Sequence, residues 1–276
     1  HTYRQFVYRQ LKKYDGTIQS LALKSRRPHG HPKAHTEEEL SLIKKMLRRN
    51  GTYGLAEVYV RCRALGYTRS FGSMCRQIRT RGLKKEAQRQ RSSYTRYSKL
   101  DGRFPGDKVQ IDIKYVPISC LRFPLYGDRY YQITAIDEYS RKRVLRIVRE
   151  KSCYETSLFL EDLEKAFGFK IHQIQVDNGR EFVSDQDTDK VNGFEKICIA
   201  KGYKLHRIRP YSPWQNGKVE RSHREDEKIL YSRRVFWSKK ELIDAVKRHE
   251  RRYNKTAKQV LGFRSPNQVV LDYFSM

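Results

Sequence analysis

Residues 108–116, KVQIDIKYV, alternate apolar and polar side chains along their whole length. A period of two is typical of a β-strand that buries one face, because successive side chains point to opposite sides of the backbone. The alternation places Asp112 in the middle of this strand, on its polar face.

Four further apolar runs predict the other strands of a sheet. They cover residues 130–136, 143–148, 171–176 and 203–208. Helical spacing occurs at about 154–167 and 193–201. Antiparallel strands followed by alternating strands and helices are typical of an α/β fold. We therefore expect a mixed five-stranded sheet with helices on both faces.

Two more acids occupy positions that favour a ligand site. Asp177 follows the fourth apolar run and precedes Asn178-Gly179, and α/β sheets bind ligands beyond the carboxyl ends of their strands. Glu220 follows the turn residues Asn216-Gly217, in a run without Gly or Pro until Gly262, so we expect it in the first turns of a helix.

Each acid also has an ordinary structural interpretation. Asp112 and Asp177 could be turn or strand-end residues, and Glu220, which has several cations around it, could lie on an exposed salt-bridged helix face. The order of a mid-strand Asp, a strand-end Asp and a helical Glu favours one shared site. The competing acids are Asp137, Glu138 and Asp185; the first two end a strand and are interpreted as turn residues.

The first part of the chain predicts a DNA-binding helix-turn-helix. A capping box at Thr36 and Glu39 starts the first of three short helices, and the third begins at Thr68 with apolar residues at 71, 74, 75 and 78. The alternative is a helical bundle with a basic surface. The polar residues of the third helix are the expected DNA contacts: Arg69, Ser70, Ser73, Arg76, Gln77 and Arg79.

Charge supports a polyanionic partner. The chain has 59 Lys and Arg against 31 Asp and Glu, a net charge of +28, and residues 1–106 hold 25 of the former against 7 of the latter. This excess favours nucleic acid or an acidic membrane surface as the partner.

No apolar run reaches the length of a membrane span, and five scattered cysteines without a CxxC favour reduced thiols in a cytoplasmic protein. Because residue 1 is not Met, we expect that the N-terminus is trimmed.

From Gly106 to Tyr231 the chain resembles the catalytic core of the DDE transposase and retroviral integrase superfamily. The matching segments are the Asp112 strand, AIDEYSRK (135–142), QVDNGREF (175–182) and RPYSPWQNGKVERSHRE (209–225). The 43-residue separation of Asp177 from Glu220 is similar to that of bacterial insertion-sequence transposases. The resemblance implies an RNase H-like core preceded by all-α DNA-binding segments.

The resemblance also implies a domain organisation. Residues 1–26 resemble part of a first helix-turn-helix, and 27–35 a basic linker. A second helix-turn-helix covers 36–83, a second basic linker 84–106, the catalytic core 107–234 and a helical tail 235–276. In the tail, Ser238 and Glu241 form a capping box before an apolar stripe, which packs on the core or on a second subunit.

The implied activity is DNA transposition. Asp112 would bridge two Mg²⁺ ions, Asp177 would hold one and Glu220 the other, with Mn²⁺ as a substitute. The partners would be transposon-end DNA and target DNA, bound by a homo-oligomer in a synaptic complex near the bacterial nucleoid; a helper ATPase is left open. Residues that flank Glu220 would contact DNA: Tyr211, Asn216, Lys218, Arg221 and Arg224. Trp214 could be a core aromatic or a base-stacking wedge.

Two other classes of function remain open on the sequence alone. One is a non-catalytic DNA-binding protein, such as a repressor or a domesticated relic that keeps the fold. The other is an RNase H-like nuclease that acts on RNA–DNA hybrids or junctions, which the helix-turn-helix disfavours because such motifs suit duplex DNA.

Overall fold

The computed structural model describes residues 3–22, 34–84, 102–184, 191–209 and 212–275. The chain divides into two compact units, residues 1–40 and 41–276. In the first unit, helix α1 (Arg4–Leu11) has no buried residue. The predicted capping box is confirmed: Thr36 Oγ1 accepts from the Glu39 amide at 3.2 Å, and Glu39 Oε2 accepts from the Thr36 amide at 2.9 Å.

Three helices follow where the helix-turn-helix was predicted. They are α2 (Glu37–Asn50), α3 (Leu55–Ala64) and α4 (Phe71–Thr80). In the second unit their apolar faces bury a common core that includes Ile43, Val58, Met74 and Ile78. Ser70 caps α4 by accepting from the Ser73 amide at 3.2 Å. The three helices are therefore confirmed, while their use as a helix-turn-helix stays a prediction.

A five-stranded mixed sheet forms the centre of the second unit. The strands are β1 (Val109–Tyr115), β2 (Tyr131–Asp137), β3 (Arg143–Val148), β4 (Gln173–Val176) and β5 (Lys204–Arg207). Their order is β3-β2-β1-β4-β5. β1 to β3 pair antiparallel, whereas β4 pairs parallel with both β1 and β5. The predicted sheet is confirmed, and its central strand is the one that carries Asp112.

Helices cover both faces of the sheet. They are α5 (Cys153–Glu161), α6 (Leu163–Phe167), α7 (Gly193–Lys201), α8 (Gly217–Ile229), α9 (Lys239–Lys255) and α10 (Pro266–Phe274). The apolar face of β1 lies in a core with Phe159 of α5 and Phe194 of α7. The opposite face of β1 contacts α8, and α9 buries Leu242 and Val246 against Leu145 of β3. The stripe of the predicted tail helix therefore packs within the chain.

One predicted limit differs from the structure. The single helix expected at 154–167 is split at Asp162 into α5 and α6. Helix α8 ends at Ile229, and the fully buried Phe236, which lies between α8 and α9, pairs its backbone with Cys120 and Arg122 at 2.8 and 2.9 Å. No helix in the described ranges is long and apolar enough to cross a membrane.

The three-helix bundle is joined to the C-terminal helices inside the second unit. The buried carboxylate of Glu57 in α3 accepts from the Ala257 amide at 2.8 Å. The ring of Phe263 lies 5.1 Å from both Tyr59 and Phe71, centroid to centroid. Phe263 has a φ of +65°, which is unfavourable for a bulky residue and is held by these contacts.

Candidate active site

The polar face of β1 lies along α8. Gln110, Asp112 and Lys114 follow one another on this face because side chains alternate along a strand. Asp112 Oδ2 lies 3.5 Å from His223 Nδ1. Lys114 Nζ lies 3.4 Å from the His223 carbonyl oxygen and 3.3 Å from Glu227 Oε2. Successive polar residues of β1 therefore meet successive turns of α8.

Two of the predicted acids, Asp177 and Glu220, act electrostatically on the third, Asp112. Burial, together with the negative charges of Asp177 and Glu220, raises the pKa of Asp112 to about 7. Asp177 follows β4, the parallel neighbour of β1, and Glu220 lies in the first turn of α8, as predicted. The fold thus brings two strand acids and a helix acid into one electrostatic environment.

The donor chemistry of this region fits a hard divalent cation. Carboxylate oxygens are the ligands that Mg²⁺ prefers, and a cation would offset the burial and the repulsion that raise the pKa of Asp112. As the side chains stand, no group of three or more His, Cys, Asp or Glu residues in the described ranges is close enough to hold an ion. The three carboxylates are accordingly candidate ligands by their charge and position.

Two residues beside the acids were not singled out from the sequence. The imidazole of His223 is 13% exposed; burial is the chief cause that lowers its pKa to about 4, and its Nε2 has no hydrogen-bond partner among the described residues. Lys151 Nζ lies 2.8 Å from Glu181 Oε1, and its charge acts on both Asp112 and Asp177. His223 falls one turn after Glu220, so helical spacing could have indicated it; Lys151 has no local signal.

Buried polar side chains hold the start of α8. Gln110 Oε1 accepts from the amides of Lys218 and Val219 at 3.2 and 3.1 Å. Gln175 Nε2 donates to the Gln215 carbonyl at 2.8 Å and to Asn216 Oδ1 at 2.9 Å. Asn216 is only 2% exposed, so it supports the loop from inside, which differs from the DNA contact expected of it.

Glu138 has a different role from the turn residue that was predicted. It is fully buried and pairs with Lys218 Nζ at 2.7 Å and with Lys108 Nζ at 3.6 Å. The ammonium group of Lys218 therefore contacts a carboxylate of the protein at the position where a DNA phosphate was expected. Asp137 does form a turn, because its Oδ2 accepts from the Ser140 amide at 2.7 Å. Asp185 lies outside the described residues.

A fully buried ion pair fixes the other end of α8. Arg143 of β3 and Asp226 of α8 are both 0% exposed and 2.7 Å apart. Arg143 Nη1 also donates to Ser222 Oγ at 3.0 Å, and its guanidinium lies 3.7 Å from the Tyr253 ring centroid. Burial raises the pKa of Asp226, but Arg143 and His249 outweigh it and hold that pKa well below its usual range.

The remaining predicted DNA contacts lie on two helices. On α4 and its cap, Arg76, Arg79 and Ser70 are exposed, whereas Arg69, Ser73 and Gln77 are half-buried. On α8, Arg221 and Arg224 are exposed. Tyr211 lies outside the described residues. Trp214 is 41% exposed in the 3₁₀ turn before α8, so it is not a core aromatic.

Comparisons with known proteins agree with this fold. Residues 103–213 match one model of the integrase core domain, and residues 201–258 match a second. A putative integrase, ORF3 of Spiroplasma virus SpV1-C74, is 30% identical over 133 residues, which are 44% of this chain. The match covers 35% of that relative's length.

Solved structures include similar chains. One from the intasome of simian T-cell lymphotropic virus, in complex with PP2A regulatory subunit B56 gamma, matches with a TM-score of 0.52 and 17% identity over 83% of this chain and 74% of its own. The catalytic core domain of BIV integrase matches with a TM-score of 0.46 and 18% identity, over 62% of this chain and 97% of its own. At this identity the likeness to the intasome chain concerns the fold. The two matches to the integrase core domain cover residues 103–258, the part of the chain that carries Asp112, Asp177 and Glu220.

Proposed function

We propose that this protein is a transposase or integrase that cuts DNA ends and joins them to target DNA, with Asp112, Asp177 and Glu220 as its catalytic carboxylates. The observation that carries the proposal is the placement of the three acids inside an integrase core domain: Asp112 lies on β1, Asp177 follows the neighbouring strand β4, and Glu220 lies in the first turn of α8, which is hydrogen-bonded to β1. Burial and the charges of Asp177 and Glu220 raise the pKa of Asp112 to about 7, which agrees with this placement. Negative carboxylates that lie near one another in a partly buried site are typical of a site that binds a cation.

The positive charge would be supplied by Mg²⁺, for which Mn²⁺ substitutes. Asp112 would be shared by two ions, with Asp177 on one and Glu220 on the other. Held by these carboxylates, the ions would supply the positive charge that an in-line displacement at phosphorus needs on the attacking and the leaving oxygen. The protein's own contribution is to hold the three carboxylates on β1, just after β4 and on α8, elements that are tied to one another by buried hydrogen bonds.

The reaction would proceed in two displacements. Water attacks the scissile phosphodiester at the end of the element, and the bond to the 3′ oxygen breaks to leave a 3′-OH. That hydroxyl then attacks a target phosphorus, and the target's own 3′ oxygen leaves. Neither step needs a covalent bond to the enzyme, so the proposal requires no nucleophilic side chain.

DNA binding would come from the basic surface. The net charge of +28 favours contact with many phosphates, and the exposed arginines of α4 and α8 lie on helices of the second unit. We assign sequence recognition to residues 1–83 and cutting to the core. This assignment predicts that deleting 1–83 costs sequence discrimination more than nonspecific affinity.

Charge-removing substitutions test the proposal. Asp112→Asn, Asp177→Asn and Glu220→Gln should each lower strand transfer by about 10³-fold or more, while affinity for end duplexes stays within about twofold. Asp162→Asn is the control, because Asp162 is an exposed acid of the same domain that pairs with Arg146. Near-normal joining by any of the three variants would remove that residue from the site. A wild-type protein that binds ends but never joins them would indicate a non-catalytic DNA-binding protein.

A further inference from the structure

Both proposed catalytic aspartates have a glutamine two positions earlier, which lies in β1 before Asp112 and in β4 before Asp177. The segments are Gln110-Ile111-Asp112 in β1 and Gln175-Val176-Asp177 at the end of β4. Residues two apart in a strand point to the same face, and Gln110 and Gln175 are direct partners in the parallel pairing of these strands. The two glutamines therefore lie side by side, each two residues before an aspartate.

Both glutamines are buried, and the carboxamides of both hydrogen-bond to the same short segment. Gln110 is 0% and Gln175 1% exposed. Gln110 Nε2 and Gln175 Nε2 donate to one acceptor, the carbonyl oxygen of Gln215, at 3.0 and 2.8 Å. This segment is the 3₁₀ turn Pro213–Asn216, which leads directly into α8. The turn is thus bound to both strands at once.

Gln110 also replaces the missing cap of α8. The first amides of a helix have no partner within it, and the residue before the helix usually supplies one. Asn216 makes no such side-chain bond, because its carboxamide oxygen accepts from Gln175. Gln110 Oε1 instead accepts from the amides of Lys218 and Val219. The first turn of α8, which carries Glu220, is therefore capped by the strand that carries Asp112.

We infer that Gln110 and Gln175 are positioning residues that fix Glu220 relative to Asp112 and Asp177. The inference rests on the proposed function, since it concerns the geometry of that same site. Neither glutamine reaches the reacting atoms; each acts through the turn and the helix start. Residues that orient carboxylate ligands in this way commonly change metal affinity when they are replaced.

Trp214 gives a direct test that needs no activity. It lies in the bound turn, and the only other tryptophan of the chain is Trp237. In a Trp237→Phe background, acrylamide quenching of fluorescence reports the turn alone. Gln110→Leu and Gln175→Leu should each raise the quenching constant about twofold, because the turn loses its anchors and opens locally.

Gln132→Leu is the matched control for burial. Gln132 is 0% exposed on β2, but its carboxamide contacts Asp226 and Tyr231 at the far end of α8. This variant should lose stability to a similar extent and leave the quenching of Trp214 unchanged. Equal quenching in all three leucine variants and the wild type would overturn the inference, as would an increase of the same size in Gln132→Leu.

The second measurement is the Mg²⁺ concentration that gives half-maximal strand transfer. It should rise about 10- to 100-fold in Gln110→Leu and Gln175→Leu, with Mn²⁺ restoring part of the rate. Gln268→Leu is the control, because Gln268 caps the remote helix α10 by accepting from the Ser265 amide at 2.8 Å; its Mg²⁺ requirement should not change. An unchanged requirement in the two strand variants would refute the inference. A wild type without strand transfer would refute the proposed function instead, and the fluorescence comparison would still decide the positioning role.

Discussion

Replacement of Arg143 by methionine should destabilise the protein strongly. Arg143 and Asp226 are both 0% exposed and 2.7 Å apart, so the substitution leaves a carboxylate in the interior without its cation. Removal of one partner from a buried ion pair costs about 3–5 kcal/mol. The lost hydrogen bond to Ser222 and the lost contact with Tyr253 act in the same direction.

The same strand offers a control that differs mainly in burial. Arg146 pairs with Asp162 at 2.8 Å, and these side chains are 33% and 64% exposed. An exposed pair contributes about 0–1 kcal/mol because water and salt screen it. Arg146→Met should therefore change the free energy of unfolding by less than about 1 kcal/mol.

Urea denaturation followed by circular dichroism measures both effects. We also expect the double variant Arg143→Met/Asp226→Leu to recover part of the loss, because both charges are then absent from the interior. The reasoning is refuted if Arg143→Met costs no more than Arg146→Met. It is equally refuted if the double variant loses the full sum of its two single substitutions.

Three further predictions concern DNA binding, pH and assembly. Affinity for duplex DNA should fall steeply and linearly in log–log form as salt rises, measured by fluorescence anisotropy, since many phosphates are neutralised; a flat dependence would contradict a phosphate-binding surface. Burial lowers the pKa of Lys258 from 10.5 to about 8. Between these pH values the native state therefore binds fewer protons than the unfolded state, and the free energy of unfolding should rise as the pH rises from about 8 to about 10.5. Lys258→Met should remove this slope in urea midpoints, and an unchanged slope would assign it to other groups. The protein should assemble into a dimer or larger oligomer only with paired end duplexes, as measured by size exclusion with light scattering; strand transfer by a complex of one protein and one duplex would contradict this.

The elements of the core could be predicted because their periodicity is local. The alternation in β1, the helical spacing of α7 and the capping residue Ser238 of α9 set limits that the structure reproduces within a few residues. Asp112 and Glu220 could be placed on a strand and a helix by the same patterns. Their mutual approach came from the family resemblance, because sequence spacing alone does not fix how distant elements pack.

The supporting residues could not be predicted because their partners are far away in sequence. Gln110 lies on a polar face that alternation alone suggests is open to water, yet α8 covers it. Arg143 stands in the basic run SRKR, and its burial depends on Asp226 and His249, which belong to later helices. Asn216 precedes a glycine and has the pattern of an exposed turn, but Gln175 draws its side chain inward.

The aromatic contact of Phe263 with Tyr59 and Phe71 bears on the spacing, along the DNA, between the recognised sequence and the cut. Phe71 is the first residue of α4, so the helix proposed to recognise DNA sequence begins at a residue that packs against Phe263, which lies between α9 and α10. If α4 is the recognition helix, this contact would hold its start at a fixed place relative to the core, and the fold would then set the number of base pairs between the recognised sequence and the cut. Insertion of about five base pairs, half a turn of the DNA duplex, between the recognised sequence and the cut would move the scissile phosphate to the opposite side of the duplex, away from the carboxylates.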